Sequence, residues 1–182
     1  LLASSAASDV YKRQNEIDQT ITVQTGMSGP KLEETLNNAV KLFGAKRTYT
    51  CGHFPQSFEY SSVGGWVVTR GAGQNLTYYG KIEDIALKQV YATPIGEIET
   101  SNCPREATGP SLNHIMMGSE GAFGVLTEVT LRVFRYMPEN RKRFSFMFKD
   151  WETAQAAARE MMQCEAGFSS VFRPVSYTHL TL

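Results

Sequence analysis

Three stretches hold glycines, hydroxyls and a few charges at a density that simple hairpin turns do not need. They are "YSSVGGWVVTRGAG" from Tyr60 to Gly73, "CPREATGP" from Cys103 to Pro110 and "GSEGAFGVL" from Gly118 to Leu126. Glycine lacks a Cβ and tolerates positive φ, so the main chain can turn sharply and offer N–H groups to an anion at close range. The hydroxyls of Ser61, Ser62 and Thr69 add donors for phosphate oxygens. Such a surface suits a pyrophosphate or a flat polar ring. It is not a dinucleotide fingerprint, because "GAGQNL" lacks the final glycine and does not join a strand to a helix, and no GK[ST] marks a Walker loop. From the residues alone, ordinary turns on a sheet protein remain the alternative.

The charged and titratable residues nearby leave similar choices. Arg70 can meet a phosphate or pair with a local carboxylate such as Glu59, and Arg105 poses the same question. His53, in "CGHFPQ", can shuttle a proton or hold a phosphate, or be a satisfied histidine at a loop end. His114 reads as a helix-surface or packing residue. Cys51, Cys103 and Cys164 are odd in number and without CxxC spacing, so they read as small buried hydrophobes, with neither a disulfide framework nor a metal site expected.

The elements that must position these residues follow from periodicity. Ile17, Ile21 and Val23 alternate along a strand that ends at Gly26, and Ser28-Gly29-Pro30 opens a helix carrying Leu32, Leu36, Val40 and Phe43 until Gly44. Residues 60–80 read as loop apart from a short helix at Gly65–Arg70. A strand from Ile82 continues to "TPIG", whose proline and glycine turn the chain into a hairpin. A short apolar segment surrounds Ile115–Met117, and Val125 to Phe134 alternate as a long strand. "RYMPENRKR", Arg135 to Arg143, reads as a domain boundary, followed by a strand in "FSFMF" and a helix capped by Asp150 and stopped by Gly167.

At 42% hydrophobic and 20% charged, with 18 basic and 18 acidic residues, the chain has globular composition and no nucleic-acid footprint. Small molecules or proteins are the expected partners. The two ends look foreign: "SSAASDVYKRQ" resembles a translated sequencing adapter, and the reverse complement of codons for Asp9 to Gln14 spells Val-Ser-Tyr-Thr-His, as in "VSYTHLTL". Residues 1–14 and 175–182 are therefore expected to be adapter-derived, and His179 is set aside.

"SSVGGWVVTRGAG", "YGKIEDI", "PREATGP" and "MGSEGAFGVLTEVTLRV", in that order, resemble the PCMH-type flavin-binding domain of the vanillyl-alcohol-oxidase-like FAD superfamily, most closely its alkyldihydroxyacetonephosphate synthase branch. The resemblance implies an α+β fold: the second half of the FAD-binding domain over residues 15–135, then the start of an α+β substrate-binding cap over 136–174. It implies that FAD is lined by Gln56, Ser57, Phe58, Glu59, Tyr60, Ser61 and Ser62, with Gly64 and Gly65. Thr69, Arg70, Gly71 and Ala72 follow, and Glu120, Gly121, Ala122, Phe123, Gly124, Val125 and Leu126 form a further flavin-facing segment. Gln56 stands where the synthases tend to carry aspartate. His53 matches a histidine near the synthase active site and is the catalytic candidate.

The reaction implied is exchange of the acyl chain of acyl-dihydroxyacetone phosphate for a fatty alcohol, without net redox change, in ether-lipid synthesis. The alternatives are an FAD-dependent D-2-hydroxyacid dehydrogenase and a non-catalytic flavin-binding homologue. A fragment of this extent is expected to be inactive by itself. The expected setting is cytoplasmic, or peroxisomal in a eukaryote, with a lipid substrate as the route to any membrane association and a homodimer as the assembly left open.

Overall fold

The structure, a computed structural model, describes residues 11–164. Residues 1–10 and 165–182, with Gly167, His179 and the C-terminal adapter-like stretch, lie outside the described residues.

Strands β1 (Tyr11–Asn15) and β2 (Thr20–Gln24) form a hairpin. The strand begins three residues later than the alternation of Ile17 suggests. The Asn15 side chain accepts from the N–H groups of Ile17 (2.9 Å) and Asp18 (3.2 Å), so Ile17 sits in the turn, 93% exposed. Tyr11 to Gln14, on the adapter-like side, occupy β1. Helix α1 (Gly29–Asn37) starts at Ser28 with proline in its first turn and buries Leu32 and Leu36. It breaks at Asn38, and α2 (Ala39–Phe43) ends at Gly44 in the left-handed conformation that glycine permits. Strand β3 (Tyr49–Thr50) leads to the first glycine-rich region, which contains α3 (Val63–Val68) and is followed by α4 (Leu76–Tyr79).

Ile82 does not start a strand. Asp84 accepts from the Lys81 N–H at 3.1 Å, which makes Ile82–Ile85 one helical turn, α5. The hairpin follows as expected: β4 (Ala86–Thr93) and β5 (Gly96–Glu99), with Thr93 opposite Gly96. Next come α6 (Leu112–Met116), β6 (Val125–Arg132) and β7 (Phe134–Arg135). The main sheet has the order β1-β2-β6-β4-β5 and is antiparallel throughout, while β3 and β7 pair separately. An antiparallel sheet covered by helices is the α+β architecture that the sequence implied.

One break in register governs the end of β6 nearest the candidate site. Val90 pairs with Glu128 but Tyr91 pairs with Leu126, so Thr127 is an extra residue and the alternation slips by one. Leu126 therefore turns into the core beside Val129 and Leu131, and Val125 faces outward at 46% exposure. An unbroken alternation from Val125 to Val133 would put Val125 on the same face as Val129 and Leu131, and the bulge reverses this.

Past β7, "FSFMF" has no strand structure, because no described strand runs beside it to accept its hydrogen bonds. Phe144, Phe146 and Met147 are exposed, and helix α7 (Trp151–Gln163) buries no residue although Asp150 caps it by accepting from the Thr153 N–H at 2.8 Å. Only Cys51 of the three cysteines is buried. Cys103 and Cys164 are exposed, since both lie in segments that pack against little. No described helix is long and apolar enough to cross a membrane.

Candidate flavin site

Helix α3 is seated by backbone. Ser62 caps it, its Oγ accepting from the Gly65 N–H at 3.2 Å, and the first helical amides point out of the helix: Val63 donates to the Met27 carbonyl and Gly64 to the Thr25 carbonyl, both at 2.9 Å. A Cβ on Gly64 would lie 2.5 Å from the Thr25 Cβ, so this glycine is required by close approach of α3 to the chain leaving β2.

The other end of α3 closes as a Schellman motif. Arg70 donates its N–H to the Val67 carbonyl at 3.3 Å and Gly71 to the Trp66 carbonyl at 2.8 Å, with Arg70 itself at φ 52° where glycine is usual. An L-residue in that conformation costs about 1 kcal/mol. Side-chain contacts offset it. The Arg70 guanidinium donates to the carbonyls of Met117 (3.0 Å, through Nε) and His114, and lies 3.6 Å from the Glu83 carboxylate. Glu83, rather than Glu59, is the carboxylate partner, because the end of α3 points toward α5 and α6.

The third segment docks on this same end. Gly118 donates its N–H to the Val67 carbonyl at 3.1 Å and Glu120 to the Val68 carbonyl at 3.2 Å. The structure thus brings together two of the segments predicted to face the cofactor, 56–72 and 120–126. Within the first, Gln56, Ser57, Glu59, Tyr60, Thr69, Arg70 and Ala72 are exposed, while Phe58, Ser61, Ser62, Gly65 and Gly71 are partly covered and Gly64 is buried. Within the second, Glu120 to Phe123 and Val125 are exposed, Gly124 is partly covered and Leu126 is buried.

His53 follows β3 and lies beneath this surface, 1% exposed. Glu33 of α1 holds the preceding backbone, accepting from the Cys51 N–H at 2.6 Å and the Thr50 hydroxyl at 3.0 Å. The imidazole sits 5.0 Å from the Trp66 ring, and among the described residues neither of its nitrogens has a hydrogen-bond partner. Cβ atoms at Gly71 and Gly73 would lie 3.4 and 3.2 Å from them. Burial pushes the pKa of His53 down to about 4, so the ring is neutral at pH 7, with one N–H and one lone pair.

The loop from Ser101 to Pro110 is exposed throughout. Its start is tied by Asn113, a residue with no local sequence signal. Its amide donates to the carbonyls of Leu87 (2.7 Å) and Ser101 (3.1 Å), and its oxygen accepts from Gln89 (3.0 Å) and the Thr100 hydroxyl (2.6 Å). Arg105, at the tip, reaches Asp84 only at 4.0 Å.

A family model described as "FAD binding domain" matches residues 8–102, more than half of the chain. The chain belongs to this FAD-binding family. An alkyldihydroxyacetonephosphate synthase from Caenorhabditis elegans is 38% identical over 78% of the chain and 22% of its own length. A solved structure of an alkyldihydroxyacetonephosphate synthase superposes with a TM-score of 0.75 at 30% identity, covering 86% of this chain and 27% of that one. The mitochondrial D-lactate dehydrogenase (cytochrome) 1 of Saccharomyces cerevisiae matches at 29% over 65% of the chain, so the dehydrogenase alternative fits less well. The chain spans about a quarter of the length of the synthases it matches.

The residues of this FAD-binding chain fit its cofactor. Ser61 Oγ accepts from the Trp66 indole N–H at 2.7 Å and Ser62 Oγ accepts from Gly65, so each hydroxyl keeps its own proton to donate to a phosphate oxygen. Thr69 differs: its hydroxyl donates to the Gly65 carbonyl at 2.8 Å. Gly121, at φ 92°, has open space where a Cβ would stand, leaving its backbone approachable.

Proposed function

We propose that this chain is part of an FAD-dependent enzyme of the alkyldihydroxyacetonephosphate synthase kind. Its proposed reaction exchanges the acyl chain of acyl-dihydroxyacetone phosphate for a fatty alcohol. The observation that carries the flavin part is the docking of the Glu120 segment on the end of α3, with the unspent Ser61 and Ser62 hydroxyl protons at the start of the same helix. The similarity to the synthases over most of the chain supports the choice of reaction.

When bound, the flavin ring supplies the reactive centre. The chain's own part is to bind and position it. Ser61 and Ser62 would donate to the pyrophosphate, and the backbone at Gly121, with open space where a Cβ would stand, would let the chain approach the cofactor closely. His53, neutral and buried, has a free lone pair to take a proton at one nitrogen and an N–H to donate at the other. Turnover belongs to the whole protein, on a small lipid substrate, in the cytoplasm or a eukaryotic peroxisome.

The test is purification of the whole protein, followed by two assays. The expected result is a yellow protein that incorporates labelled fatty alcohol into an ether product from acyl-dihydroxyacetone phosphate. Bleaching of the flavin by a D-2-hydroxy acid under anaerobic conditions, with no ether product, would replace this reading by the dehydrogenase. Ser61→Ala combined with Ser62→Ala should weaken FAD binding about tenfold to a hundredfold, the worth of one or two hydrogen bonds to a charged group.

A further inference from the structure

Arg70 stands in the sequence like a phosphate ligand, a fixed cation beside a glycine run. Its surroundings assign it other work. The side chain crosses directly over Gly118, where a Cβ would lie 2.7 Å from the Arg70 Cγ. Beyond that crossing, the guanidinium donates to the carbonyls of His114 and Met117 at the C-terminus of α6, where a cation is favoured. In return, Gly118 and Glu120 donate to the carbonyls of Val67 and Val68 at the C-terminus of α3, the first of which also accepts from the Arg70 N–H. Each helix end is capped by the segment that follows the other helix, and Glu83 of α5 balances the charge.

From this reciprocal capping we infer that Arg70 is a positioning residue, a clamp that fixes the 118–124 segment against the end of α3 without itself contacting the flavin. Its Nε, Nη1 and Nη2 all face these protein partners. The left-handed backbone at Arg70 is what turns the side chain back toward α6. The inference rests on the flavin reading, because the clamp matters to function only if both segments face the cofactor.

The test uses the whole protein with Arg70→Gly, which keeps the left-handed turn and deletes the guanidinium, and Arg70→Lys, which keeps the charge but not the fork. In flavin-free protein, R70G should raise hydrogen exchange at the Gly118 and Glu120 amides about tenfold or more, with R70K intermediate. FAD affinity should fall by a similar factor. At saturating FAD the visible circular dichroism of the bound flavin should shift, which a loss of stability alone would not produce.

Unchanged exchange at both amides combined with weakened FAD binding would make Arg70 a direct phosphate ligand and overturn the clamp. Faster exchange with unaltered affinity and flavin spectrum would reduce it to a stabilising contact. Should R70G fail to fold, R70K alone decides among these outcomes. A wild-type protein that takes up no FAD overturns the flavin reading and any service of the clamp to it, while the exchange rates still report whether the mechanical contact exists.

Discussion

Two glycine-bearing segments that look alike as text are built in opposite ways. Residues 60–73 are bonded at every turn: Gly64 meets Thr25, Arg70 and Gly71 close α3, and Gly73 backs onto Phe54 and His53. Residues 101–110 are exposed throughout and depend on Asn113 at their base, while Gly109 has nothing within 4 Å of where a Cβ would stand. In the first segment glycine serves packing between elements. In the second it serves only the local path of the chain.

The same substitution at the two sites should therefore have very different consequences. Gly64→Ala puts a methyl group 2.5 Å from the Thr25 Cβ and forces α3 off its seat. Overpacking plus loss of the adjoining backbone bonds should cost about 4 kcal/mol, read as a fall in the denaturant midpoint. A cost under about 1 kcal/mol would mean that α3 is not seated as described.

A smaller effect should come from beneath the first segment. His53 is neutral when folded, with its pKa at about 4 against an ordinary 6.5, so below pH 6.5 the unfolded chain binds a proton that the folded chain refuses. Stability should fall as pH drops from 6.5 to 4 and then level off, by about 3 kcal/mol from this group. His53→Leu should remove that part of the slope in urea titrations taken at stepped pH. Parallel slopes for the two proteins would show that the imidazole is hydrated or partnered.

The smallest effect belongs to the open loop. Gly109→Ala, at φ 65° in free space, should cost only about 1 kcal/mol, the left-handed penalty without a clash. Thermal unfolding should barely distinguish it from wild type. A large loss would show that this loop packs against something.

Helices α1 and α7 show how far periodicity carries. Both were legible from apolar spacing and a capping signal, and both form. Yet Leu32 and Leu36 are fully buried while α7 buries nothing, because spacing says which face is apolar and not what lies opposite. The hairpin at "TPIG" was equally legible, as turn chemistry is local. The helical turn at Ile82 was not, because the apolar run hid the capping by Asp84. Nor was the bulge at Thr127, which arises from pairing with β4. The glycine-rich segments were visible as candidates, but Asn113 and Thr25, which help set their geometry, carry no local mark.

The sequence by itself determined some local matters: the starts of α1 and α7, the hairpin turn at "TPIG", the α+β class, and, through four ordered motifs, the FAD-binding family. Its residue types also marked His53 and the Ser61-Ser62 pair for attention. Tertiary structure alone decided what each polar group is free to do. Hydrogen-bonding capacity is finite, and its allocation depends on which partners the folded chain brings within reach. Ser61 and Ser62 accept and so keep protons to give, Thr69 has given its own, and Arg70 faces two carbonyls and a carboxylate more than 10 residues away along the chain.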